Sequence, residues 1–245
     1  MRRQDWLLIL CVAAALTPFF IPSTGFLRGF NRLTAAFPFV MSFFKFAILA
    51  TLGEMIGLRI RKGAFHEKGF GVLPRMVVWG FLGMGIALAM MVFKSGVPVV
   101  LGTVGSMPES RAETIANLNA TFSGPLSWGK AGIAFAVSVA MNCIFAPVMM
   151  TLHKITDTHI LQHGGTLCCL LHPIKVRNII THLDWDTQWN LVFKKTIPLF
   201  WFPAHTVTFL LPQNLQVLFA ALLGVALGTI LALANNRKAS AEVQQ

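Results

Sequence analysis

The sequence predicts an all-α fold. The expected architecture is a polytopic membrane helix bundle of about six transmembrane helices, with a short amphipathic surface helix before helix five. Three observations carry this expectation. Only 12% of the 245 residues are charged and 55% are hydrophobic, against roughly 25% charged in an average soluble protein. The mean hydropathy is +0.67, and apolar runs of about 18–22 residues recur, the length needed to cross a hydrocarbon core. The 20 Lys and Arg fall mostly in the short stretches between those runs, as topology signals do. The charge deficit excludes soluble domains. It leaves one helical membrane domain over residues 37–234, an extra helix and loop over 1–36, and a polar tail over 235–245 read as disordered.

A net charge of +11 suggests nucleic acid at first sight. No basic stripe interleaved with aromatics supports that partner, so the bilayer itself is the expected one. The four cysteines, Cys11, Cys143, Cys168 and Cys169, lie in apolar runs or side by side and imply no disulfide framework.

Element by element, residues 6–21 form a short apolar run behind a basic start. A cleaved signal peptide and a first helix both fit, and the poor cleavage site with Phe19-Phe20 directly after it favours the helix. A loop with Arg28 and Arg32 precedes helix two at 37–60. Its heart, FFKFAILATLGEMIGLRI (43–60), holds Lys45 and Glu54. A carboxylate at membrane depth costs about 2.5–3.5 kcal/mol on insertion scales, so Glu54 is the first candidate for a functional site. Nine residues at 100° each put Lys45 on the opposite face, so the two cannot pair; Lys45 can snorkel to the interface. Glu54 therefore needs a partner on another helix, and Arg75, Asn142 and His205 are the candidates.

Helix three is expected at 76–93, with Gly80, Gly83 and Gly85 allowing close helix contact. The long connection 94–130 contains an apolar piece at 98–105, too short to span and read as a re-entrant or interfacial turn. Its Asn119-Ala-Thr121 fits a glycosylation acceptor only as a chance match would. Helix four is expected at 131–152 with Asn142 and Pro147, the proline kinking it. Residues 153–195 are amphipathic and expected in part on the membrane surface. Within them, His159 and His163 share a helix face near Cys168. That spacing is not a standard metal-ligand pattern, so no metal and no cofactor is assigned. Helix five, 197–211, is short and broken by Pro198 and Pro203. It spans only by running back through Lys194 and Lys195, and His205 sits in it among backbone that must be freed. After a turn at Pro212, helix six occupies 215–234.

Cation placement sets the orientation. With both termini on one side, that side holds fourteen Lys and Arg and the other five. The bias predicts both termini on the cytoplasmic or matrix side, and the basic start without an Arg- and Ser-rich transit peptide fits a bacterial inner membrane. Catalytic motifs are missing: no HExxH, P-loop or nucleophile elbow occurs, and nine acidic residues leave little material for an acid–base pair.

Four places in this layout resemble the Mpv-seventeen / peroxisomal membrane protein 22 family. Gly53-Glu54 resembles its Gly-Asp motif. Arg75 followed by Gly83 resembles its Arg-to-Gly spacing. Phe145-Ala146-Pro147 resembles its third-helix proline element. Trp201, Pro203 and Phe209 through Pro212 resemble its closing signature, although Gln216 stands where that signature has arginine. The resemblance covers about residues 36–234. It implies a small helical protein of an inner mitochondrial, peroxisomal or bacterial membrane that forms a pore or influences solute or lipid balance. The expected function is a small-solute or ion pore or transport-related protein, with Glu54, His205, Asn142 and Arg75 around a shared polar cavity. The alternative is a non-conducting scaffold or lipid-homeostasis protein. Homo-oligomerisation is compatible with either.

Overall fold

The computed structural model describes residues 3–21 and 25–242, and everything described is helix, turn or coil. The helices, in chain order, are α1 (Arg3–Phe20), α2 (Phe26–Ala36), α3 (Pro38–Lys62), α4 (Val72–Val104), α5 (Arg111–Ser123), α6 (Trp128–Gln162) and α7 (Val176–Thr181). A continuous rod follows, made of α8 (Trp185–Thr187), a π-helical segment (Gln188–Trp201) and α9 (Phe202–Leu210); α10 (Gln213–Glu242) closes the chain. Four helices are long and apolar enough to cross a membrane: α3, α4, α6 and the Gln213–Ile230 part of α10. The apolar part of α1, Asp5–Phe19, is shorter.

Five elements form a closed ring. α3 packs between α4 and α10, α6 between α4 and α9, and α9 returns to α10. Apolar side chains from all five fill its centre, among them Phe46, Met90, Val137, Phe209 and Ala221. Glycines set two close seams. On α3, a Cβ at Gly53 would stand 2.8 Å from the Val225 Cα of α10. On α4, Gly80 and Gly83 receive the Phe43 and Phe46 side chains, where an added Cβ would lie 2.4 Å from ring or Cβ carbons. Lipid tails are as apolar as leucine, so close backbone approach rather than water exclusion drives such contacts.

Several boundaries differ from the sequence expectation. α4 does not stop at 93. The piece at 98–105 is its last turns rather than a re-entrant turn, because α5 folds back over it. Gly102 makes room for Ile115, and Leu118 and Phe122 pack onto the core. α6 runs ten residues past 152, to Gln162, and continues through Pro147. The loop expected before helix two is largely helix α2, which buries none of its residues but supports Lys45. Lys45 Nζ lies 3.1 Å from Thr34 Oγ1 and 4.7 Å from the Phe30 ring centroid. α10 stays helical past Asn235, where a disordered tail is expected; residues 243–245 lie outside the described residues. Where a surface helix is expected before helix five stands α7, six residues long.

Helix five is longer than expected. With α8 and the π segment it spans Trp185–Leu210. Its wide register has local causes: Pro198 has no N–H to give, and Thr196 Oγ1 donates to the Leu191 carbonyl five residues back (3.1 Å). Pro203 stands at the first turn of α9, where the π register gives way to α and its missing N–H leaves one bond of the continuous rod unmade.

Contacts sort by bundle end. At the basic end, Arg59 at the end of α3 binds Asp5 at the start of α1 (2.7 Å), and Lys62 binds Glu67. At the opposite end Asn214 binds Asn31, and Lys94 donates to Gln216 Oε1 (2.9 Å). Gln216 also donates to the Leu211 carbonyl (2.8 Å) and fastens the Pro212 turn.

Candidate functional site

The charged cluster of this bundle is built from three ring helices close to its basic end. On α3, Glu54 faces α4, eight residues before the helix ends at Lys62. On α4, Arg75 and Trp79 are four apart and share a face; on α6, so do His153 and Asp157. The Arg75 guanidinium is 7% exposed and joins all three. Nη1 donates to Glu54 Oε2, Nη2 pairs with Asp157 Oδ1, and Nε donates to the Phe70 carbonyl (2.6 Å). The Phe70 ring lies 4.4 Å from the guanidinium carbon. Glu54 Oε1 accepts from Trp79 Nε1 (2.9 Å) and lies 3.3 Å from His153 Nε2. The Trp79 and His153 rings pack at 4.4 Å. One guanidinium therefore answers two carboxylates, and His153 adds a further positive charge when protonated.

Of the three partners expected for Glu54, Arg75 is the one it meets. Asn142 and His205 meet each other instead. The Asn142 amide lies against His205 Nδ1, 2.9 Å from its nitrogen and 3.1 Å from its oxygen. Asn142 also donates to the Ser138 carbonyl (2.8 Å), and Ser138 Oγ donates to the Phe202 carbonyl (2.8 Å). Trp201 stacks on His205 with centroids 4.9 Å apart, while Phe209 is buried in the core. The expected shared cavity is thus two separate polar clusters. The reason lies in helix geometry: Asn142 and His153 are eleven residues apart on α6, about 16 Å along its axis. The second cluster satisfies carbonyls at the junction where the π segment becomes α9.

Trp79, His153 and Asp157 are not among the sequence candidates for this cluster. A helix four that ends at 152 leaves His153 and Asp157 in the amphipathic stretch beyond it. Once α6 reaches Gln162, their four-residue spacing puts them on the face that carries the cluster.

At the end of α6, the His159 and His163 rings lie tilted to each other at 4.2 Å, and those of His163 and His172 at 5.1 Å. These imidazoles bind backbone carbonyls: His159 Nε2 that of Cys169 (2.9 Å), and His172 Nδ1 that of Cys168 (2.8 Å). Burial holds the Cys169 thiol above its ordinary pKa, with Cys168 adding to it. Among the described residues, no group of three or more His, Cys, Asp and Glu is arranged to hold a metal ion. The glycines here serve the backbone. Gly71 and Gly165 both have positive φ (71° and 68°), and the Gly165 Cα lies 2.8 Å from where a Cβ on Gly71 would stand. The two loops at this end thus meet backbone to backbone.

No family model, curated protein or solved structure matches this chain.

Proposed function

We propose that this chain is a transport-type integral membrane protein that passes a small solute or ion across an inner membrane, with the Glu54–Arg75–Asp157–His153 cluster as a charged gate. The observation that carries the reading is the gathering of these ionisable groups, Arg75 buried and Glu54, Asp157 and His153 partly buried, between three helices long enough to cross a membrane. Packing alone does not call for them. A buried ion pair is commonly matched or bettered in stability by apolar residues of similar volume, and intramembrane charges mark ion and substrate paths. The centre of the ring is closed by apolar side chains, so passage requires the ring to open. The π segment beside α6 is the element built to yield, since such segments concentrate at functional sites. The resemblance to the Mpv-seventeen / peroxisomal membrane protein 22 family favours the same class. The proposed orientation, six crossings with both termini on the cytoplasmic side of a bacterial inner membrane, rests on the cation bias. No catalytic role is assigned.

One observation favours the second reading, a non-conducting scaffold or lipid-homeostasis protein. Arg75 is saturated by two carboxylates, a carbonyl and a ring, as a clasp fixing helix register would be. Conductance across planar bilayers separates the two. A gate predicts discrete currents from the purified protein that change in size or pH dependence in Glu54→Gln. Bilayers silent across voltage and pH, with protein that is folded, would refute transport and leave the clasp.

A further inference from the structure

The connection between α6 and the helix-five rod carries no acidic residue from His163 to Leu183. Its cations are Lys175 and Arg177, both exposed, whose side chains have neither a carboxylate nor another hydrogen-bond partner among the described residues. Together with Val176, Asn178 and Thr181 they line a shallow, open hollow of about 570 Å³. A neighbouring hollow of about 290 Å³ shares Asn178 and is lined by Lys154, Thr158 and His182. The carboxylate there, Asp184, is engaged in accepting the Thr187 N–H (3.0 Å). Around the basic hollow the surface is apolar. Leu171 is 86% exposed, and Ile174 and Val176 also face outward. Trp185 and Trp189, exposed at the start of the rod, are residues of the membrane interface. Since α6 ends where this stretch begins and the rod starts where it stops, the hollow lies at the bilayer surface on the basic end.

We infer that this hollow seats the phosphate of an anionic phospholipid. Lys175 and Arg177 supply the charge, the Asn178 amide supplies a neutral donor, and Leu171, Ile174 and Val176 lie against the upper acyl chains. The chemistry is that of basic surface sites generally: guanidinium and ammonium pair with phosphate, while exposed apolar residues next to them gain by entering lipid. The site stands apart from the Glu54 cluster and holds whether or not the protein conducts.

The test uses the full chain in phosphatidylcholine nanodiscs. Phosphatidylglycerol with brominated acyl chains is compared with brominated phosphatidylcholine as a quencher of tryptophan fluorescence. The wild type is expected to show stronger quenching by the anionic lipid at equal lipid fraction. Lys175→Gln and Arg177→Gln are each expected to lower that preference roughly fivefold. Lys68→Gln, which removes an exposed cation outside the hollow, is expected to keep it. Both hollow residues are exposed, so the variants keep their helical circular dichroism. The inference is overturned by a wild type with no preference, or by Lys68→Gln losing as much as the hollow variants. It is equally overturned if soluble glycerol phosphate abolishes the preference, since the ligand would then be a free anion.

Discussion

Replacing Arg75 should damage this bundle more than replacing either acid it binds. Its guanidinium is 7% exposed, against 20% for Glu54 and 17% for Asp157. In Arg75→Gln both carboxylates and the Phe70 carbonyl lose their donor inside the protein. Breaking a buried pair by removing one partner costs about 3–5 kcal/mol. Glu54 retains Trp79 and His153, which places the expected loss near the lower bound, about 3 kcal/mol. Glu54→Gln removes one of two negative charges facing a single guanidinium and keeps an acceptor for Trp79, so about 1 kcal/mol is expected. The double variant should therefore be more stable than the sum of the singles implies, with a coupling of about 1–3 kcal/mol. Reversible unfolding in mixed detergent micelles, followed by circular dichroism, measures all three. If Arg75→Gln is as mild as Glu54→Gln, or the double variant is simply additive, the clustering of two acids on one guanidinium is not what holds α3, α4 and α6 in register.

Three further outcomes are expected. Gly53→Ala places a Cβ 2.8 Å from the Val225 backbone, forcing α3 and α10 apart at a cost of about 1–3 kcal/mol in the same unfolding assay. Gly29→Ala on α2, where a Cβ meets nothing within 4 Å, should be neutral or stabilising by up to about 1 kcal/mol. At Asp184, hydrogen bonds from Thr187 hold the carboxyl below its ordinary pKa. A lowered folded value means the stabilisation is complete above the unfolded pKa of about 3.9 and is lost as pH falls through the folded value. Hydrogen exchange at the Thr187 amide, corrected for its intrinsic rate, should then accelerate below about pH 4, and Asp184→Asn should lack that acid step.

Much of this architecture is legible in the apolar runs, because a bilayer forces helices and fixes their minimum length. Maximum length is not fixed in the same way. α4 and α6 continue well past the hydrophobic minimum, and the residues that betray it, Ile115 meeting Gly102 and Ile155 and Ile160 in the core, look like ordinary loop apolars until a partner helix is in place. The site was readable in half. Helix periodicity showed that Glu54 could not pair with Lys45 and named Arg75 among three partners. Which of the three it meets depends on how far apart along α6 the groups stand, and that is a tertiary quantity. Asp157 and His153 were hidden by the misplaced helix end. The π register of helix five was not readable at all, since Pro198 and Thr196 are compatible with an ordinary kink.

The separation of the two polar clusters has a consequence that tests structure and function together. Asn142→Leu strips His205 of its partner and should cost about 1–3 kcal/mol. With some 16 Å between the clusters along α6, its effect on stability should add to that of Glu54→Gln within about 0.5 kcal/mol, as independent sites do. Conductance obeys a different rule. Two constrictions on one path act in series, so the larger barrier dominates and the double variant should resemble the more affected single variant. Additive stability with non-additive conductance is therefore the signature of one passage running by both clusters. Additivity in both would make Asn142–His205 a helix fastening beside the passage. Strong coupling in stability would mean that the two clusters communicate through α6, against the geometry that separates them.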